Sequence, residues 1–276
     1  MKNRVFSAKA ASAPYVVWSV LFVIAPLVFV AYYAFTGSDG GFTLVNISKF
    51  FSAYFDTFIR SLWYGVLSTI ICLIIAYPFA YWLAHSGASV QRTCVMLVML
   101  PMWMNFLIRT YAWMNILQDT GIINAALSKL GFDTVHMINT GGAVIFGMVY
   151  NFLPYMILPL YSIMTKIDPS MLDAASDLGC SKLQSIIKVV LPQSVPGIVS
   201  GITMVFVPSV STFYISQKLG GGSFDLIGDV IERQFTLSYN YNLGAALSLV
   251  LMVLILVSMF FMRRFSDADS DGEVLM

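Results

Sequence analysis

The chain has 276 residues, of which 58% are hydrophobic and 11% charged, with a formal net charge of +1. Soluble domains average about 45–50% apolar and about 25% charged, and a globule of this size cannot enclose so much apolar side chain. Composition therefore excludes an ordinary soluble domain, a disordered chain and a disulfide scaffold, and the near-balance of charge supplies no basic field for nucleic acid.

A bilayer-spanning helix needs about 20 mainly apolar residues. Six stretches meet that length and predict an all-α, polytopic membrane protein forming a single transmembrane domain, 1–276. They run over 14–35, 62–84, 94–117, 143–165, 195–216 and 243–262. Arg109 interrupts the third and Pro208 the fifth. The basic start and first apolar run read as an uncleaved span, because the run exceeds a typical signal-peptide core and no A-x-A site follows.

With six spans, both ends lie on one side of the membrane. That side carries nine basic residues: Lys2, Arg4, Lys9, Arg92, Lys166, Lys182, Lys188, Arg263 and Arg264. The other carries five: Lys49, Arg60, Lys129, Lys218 and Arg233. The excess places both termini in the cytoplasm, with 263–276 as a cytoplasmic tail. Cys72, Cys94 and Cys180 fall inside a span, at a cytoplasmic end and in a cytoplasmic loop, so no disulfide is expected.

Catalytic signatures are missing. Gly220, Gly221 and Gly222 lack the Lys-Ser/Thr of a phosphate loop and read as a flexible turn. His85 and His136, the two histidines, are predicted on opposite faces, so neither a metal site nor a Ser/His/acid set can be assembled. No catalytic, cofactor-binding or metal residue is assigned. The spans contain no Asp or Glu, which speaks against an ion-coupled carrier. What remains is a passage or a scaffold.

The loop between spans four and five, 166–192, is too polar to span and too patterned for a linker. Asp168-Pro169 is a helix start. Met171, Ala174, Ala175 and Leu178 then form one apolar stripe, which Gly179 ends. Ser181 and Gln184 form a capping box for a second helix with Leu183, Ile186, Ile187 and Val190 on one face. Two short amphipathic helices meeting at a glycine fit either a pair lying on the membrane surface or a docking element for a partner protein.

The order D-A-A-S-D-L-G at Asp173–Gly179, L-P at Leu191–Pro192 and P-G-I at Pro196–Ile198 resembles the EAA loop of ABC-importer permeases. Asp173 stands where that family usually has Glu. The resemblance implies an ABC-importer permease fold whose cytoplasmic loop carries a coupling helix seated on an ATPase, through Asp173, Ala174, Ala175, Leu178 and Gly179. Further stretches resemble the spermidine/putrescine permeases of the PotB type. They are Asn105–Trp113, Gly147–Tyr161, Val207–Tyr214, Leu219–Gly221 and Leu226–Ile231. That resemblance implies a bacterial inner-membrane importer with a second homologous permease, two copies of a cytoplasmic ATPase and an external polyamine-binding protein. ATP and Mg would bind the ATPase, and this chain would bind no cofactor.

A polyamine cannot cross hydrocarbon unpaired, so its path must offer oxygens, carboxylates or aromatic faces. Candidates are the polar residues beside prolines in interrupted spans: Tyr150, Asn151 and Tyr155 around Pro154, and Ser209, Ser211, Thr212 and Tyr214 after Pro208. Each also fits a packing or interfacial role. Arg109, in the outer third of span three, can snorkel outward as an anchor beside Tyr111 and Trp113, or can serve as an ion pair or charge barrier. Asp225, Asp229 and Glu232 make the external loop 223–242 acidic, as an entrance for a cation or as a solvated loop.

Overall fold

The computed structural model describes residues 13–37, 40–222 and 224–272. Lys2, Arg4 and Lys9, on which part of the expected orientation rests, lie outside these residues, as do Ser223 and the last residues of the expected tail. The protein is all-helical among the described residues apart from a bridge between Thr36 and Phe42. Among the described residues five helices are long and apolar enough to cross a bilayer: α1 (Ala13–Ala34), α2 (Val45–Ala84), α6 (Gly141–Met164), α8 (Lys182–Ser211) and the Tyr241–Met262 part of α11 (Tyr241–Gly272). A sixth crossing arises if α3 (Ala88–Trp103) and the stretch Phe106–Lys129, which begins with α4 (Phe106–Leu117) and is bent by 92° from α3, count as one. Shorter helices are α5 (Ile122–Lys129), α7 (Pro169–Asp177), α9 (Tyr214–Leu219) and α10 (Ile227–Thr236).

The residues expected in the third span thus fall on two helices. Met104 is extended, and the Asn105 side chain accepts from the Leu107 and Ile108 amides at 2.8 and 3.4 Å, which starts α4 afresh. Such a cap satisfies amide groups that lipid cannot. The residues expected in the fifth span fall on α8 and α9, with extended Thr212 between them.

The fold divides into two units, Met1–Asp56 with Val230–Leu254 and Thr57–Asp229 with Ile255–Met276. In the first, Ala34, Ala245 and Ala246 form a small-residue core. Two asparagines satisfy the carbonyls where α1 ends: Asn46 Nδ2 donates to Ala34 and Thr36, and Asn242 Nδ2 to Tyr33 and Thr36. The apolar window of α1 is wholly unburied within the chain, which suits a helix facing lipid or another subunit.

In the second unit α6 is the central helix, and its packing against α8 is the tightest contact. Gly197 and Gly201, one turn apart on α8, let the backbones approach. A Cβ at Gly197 would lie 3.1 Å from Ile163 Cγ1 and 3.2 Å from the Pro159 carbonyl oxygen. One at Gly201 would lie 2.5 Å from Met156 Sδ. Most span hydroxyls bond to their own helix, as Ser209 does to the Val205 carbonyl at 2.7 Å and Thr203 to Val199 at 2.8 Å. Tyr77 and Ser194 bridge α2 to α8 at 3.0 Å.

Gly197→Leu should separate α6 from α8 and cost about 1–3 kcal/mol, as overpacking does. Thermal unfolding of the purified protein should show a lowered midpoint. Gly87→Ala, where an added Cβ meets nothing within 4 Å, should leave it unchanged.

Candidate functional site

The first candidate site is the segment joining α6 to α8. Asp168 caps α7 by accepting from the Ser170 amide at 2.9 Å, with Pro169 in the first turn. Hydrogen bonds from the Ser170 backbone and hydroxyl hold the Asp168 carboxyl below the usual carboxylate range. At the other end Cys180 N–H donates to the Ala175 carbonyl at 3.0 Å and Gly179 N–H to Ser176 at 2.9 Å, the two bonds of a Schellman motif. Gly179 has φ +81°, which that motif requires. The next helical turn opens with both bonds of a capping box: Ser181 N–H to Gln184 Oε1 at 2.8 Å, and Gln184 N–H to Ser181 Oγ at 3.4 Å. Every turn of this segment is therefore fixed by its own sequence.

Its faces are unequal. Ala175 is buried, and Leu172 and Ile167 pack on the main core. Asp173, Ala174 and Gly179 are exposed, and Leu178 is 86% exposed. The expected stripe therefore divides: Ala175 turns inward, while Met171, Ala174 and Leu178 stay uncovered. Leu183 and Ile187 extend the uncovered apolar surface beyond the glycine.

The second candidate site lies around α4, α6 and α9. Trp113 meets Tyr150 edge-on with centroids 5.1 Å apart, and Phe106 meets Tyr214 at 5.9 Å. Tyr111 is perpendicular to Tyr214 at 6.1 Å. Two cations sit among these rings. The Arg109 guanidinium lies 5.7 Å from the Tyr150 centroid and 5.9 Å from that of Phe106. Lys218 Nζ lies 5.3 and 5.7 Å from Tyr111 and Tyr214. Sequence reasoning missed Lys218, because nothing in its own segment points to an aromatic partner on α4.

Arg109 does not snorkel outward. It is buried and donates from Nη1 to the Pro101 carbonyl at the α3–α4 break, which also accepts from the Met104 amide. Among the other passage candidates, Tyr150 and Tyr214 join this cluster. Asn151 and Ser209 are buried and bond to the Gly147 and Val205 carbonyls of their own helices, and Thr212 is buried at the α8–α9 break. Ser211 is half-buried and bonds to the Val207 carbonyl. Tyr155 stands apart, in an open groove of about 440 Å³ walled by Pro159, Ser162, Gly197 and Met204.

Of the carboxylates expected at an external entrance, Asp229 is 1% exposed and accepts from the Leu226 amide at 2.7 Å, just ahead of α10. Its charge is engaged inside the fold. Asp225 and Glu232 are half-buried, and Glu232 accepts from the Thr236 hydroxyl. His136, unpartnered within its own segment, pairs with Asp119 at 2.9 Å, with both side chains 59% exposed. An exposed pair of this kind contributes little.

Residues 5–268 match the family described as binding-protein-dependent transport system inner membrane component. The chain belongs to that family. It is 38% identical over 238 residues to the spermidine/putrescine transport system permease protein PotB of Escherichia coli (strain K12), covering 83% of this chain and 86% of that protein. PotB of Haemophilus influenzae is 37% identical over 239 residues, covering 83% and 84%. The inner membrane ABC transporter permease protein YdcU of Escherichia coli (strain K12) is 30% identical over 243 residues, covering 83% and 77%. A solved bacterial ABC transporter involved in the import of the acidic polysaccharide alginate shares the fold, with a TM-score of 0.78, 18% identity and 96% of each chain covered.

The Asp168 cap should depend on pH with a defined sign. A lowered carboxyl pKa stabilises the folded segment fully above the ordinary carboxylate value and ceases to do so as pH falls through the lowered one. Protection of the Ser170 amide against hydrogen exchange should persist at neutral pH and fade only in acid. Asp168→Ala should lose it at every pH.

Proposed function

We propose that this chain is the permease subunit of an ATP-driven polyamine importer, forming half of the translocation pathway beside a second homologous permease. The observation that carries this reading is the 37–38% identity to spermidine/putrescine permeases over more than four-fifths of both chains. An external polyamine-binding protein delivers the substrate, and a pair of cytoplasmic ATPase subunits supplies the force. Those subunits, and not this chain, bind ATP and Mg. The excess of Lys and Arg on one set of loops supports cytoplasmic termini and a cytoplasmic α7 segment.

In this reading Ala174, Leu178 and Gly179 face the ATPase, with Asp173 beside them and Ala175 holding the helix to the permease core. ATP-driven closure of the ATPase pair pushes on α7. Because the segment is capped at both ends, it moves as a body, and the push reaches α6 and α8 directly. The passage then alternates between outward and inward access. Binding within it is weak by design: aromatic faces contribute roughly 0.5–2 kcal/mol per ammonium contact, enough to guide a polycation but not to retain it.

A second reading, a permease for a small anionic solute, is favoured by Arg109 and Lys218 in the aromatic cluster. One experiment separates the two. ATP-dependent uptake of labelled spermidine into vesicles carrying the assembled importer should be suppressed by unlabelled putrescine or spermidine. Neither an uncharged nor an anionic solute should compete. Uptake that persists without ATP, or that only the anion inhibits, would contradict the proposal.

Gly179→Val should abolish uptake while the protein still inserts and assembles. A β-branched side chain forced to φ +81° costs roughly 1–2 kcal/mol and disturbs the surface offered to the ATPase. ATP hydrolysis by the assembled complex should then continue without transport. Normal uptake by this variant would count against docking at α7.

A further inference from the structure

Lys218 presents a conflict that the polyamine reading has to resolve, since a fixed cation beside a cation's path repels the substrate. Its surroundings suggest how. Tyr214 lies one turn before Lys218 on α9, and Tyr111 comes from α4, so the two rings that hold the ammonium belong to different helices. The rings stand at 84° to each other, and the ammonium lies within cation–π range of both. A pair of rings that holds one primary alkylammonium is, by the same chemistry, a site for another.

We propose that Tyr111 and Tyr214 form an ammonium-binding site that Lys218 occupies as a tethered stand-in, and that a primary ammonium of the polyamine takes it by displacing Lys218. The inference rests on the polyamine reading above and names one of its binding sites. The two ammonium groups carry the same charge and make the same contacts, so the exchange keeps a cation on the rings throughout. Lys218 is half-buried on a flexible four-carbon stem, and Tyr111 is 41% exposed, so the exchange requires no opening of the core. Once displaced, the lysine adds a neighbouring positive charge that shortens the substrate's stay. Arg109 cannot act in this way, because it is buried and bonded to the Pro101 carbonyl. It fixes the α3–α4 bend that sets Tyr111 in place.

The test is equilibrium binding of labelled spermidine to the assembled importer in lipid nanodiscs without the delivery protein, alongside ATP-driven uptake by the same preparation. Lys218→Gln should tighten binding by about twofold or more, the smallest change expected for removing a competitor of this strength. The double variant Tyr111→Leu, Tyr214→Leu should weaken it by at least as much, and Phe at both positions should restore part of the loss. Thermal unfolding of each variant would separate site effects from misfolding. Unchanged or weakened binding by a well-folded Lys218→Gln variant, with wild-type uptake intact, would overturn the stand-in and spare the polyamine reading. No spermidine uptake by the wild-type importer would overturn both.

Discussion

The close approach of α6 and α8 at Gly197 and Gly201 is the constraint on which the rest depends. Lipid gives no hydrophobic reason for two apolar helices to associate, so the contact must come from fit, and small residues permit it. These two helices are also the ones that flank the α7 segment. Holding them together fixes the two ends of that segment, and its three caps fix what lies between. In the proposed mechanism this makes α7 a rigid lever rather than a tether.

The same solvent explains the breaks. Backbone that leaves a helix within a membrane protein must find partners inside the protein. At the α3–α4 break the Leu107 and Ile108 amides turn to the Asn105 side chain, and the Pro101 carbonyl accepts from both the Met104 amide and Arg109. Arginine is thus part of the bend, and its burial among Phe106 and Tyr150 follows from where that carbonyl points. The aromatic cluster and the bend form one unit, with Lys218 its adjustable member in the proposed exchange.

Local signals in the sequence were strong where local physics decides. Asp168-Pro169, Gly179 and the Ser181–Gln184 pair each specify a turn through neighbours within a few residues, and the structure realises all three. Apolar runs likewise give the helical membrane class. Contacts between segments were beyond such reasoning. Nothing near Lys218 in the chain announces Tyr111, and hydropathy alone cannot distinguish a straight third span from one turned through 92°. Burial of Asp229 beside Leu226 was equally hidden, because an acidic residue in a polar loop reads as exposed. The division of the Ala174–Ala175 pair into an outward and an inward residue depends on how α7 rests on the core.

The central claim is that force enters this protein through the α7 surface on the cytoplasmic side. Cross-linking from a cysteine placed at Leu178, in an otherwise cysteine-free chain assembled with its companions in intact membranes, addresses it most directly. The account predicts a cross-link to an ATPase subunit that carries a phosphate loop, and no reaction of that cysteine with an impermeant thiol reagent added outside. Modification from outside, or a transport-competent assembly in which Leu178 meets no nucleotide-hydrolysing subunit, would contradict it.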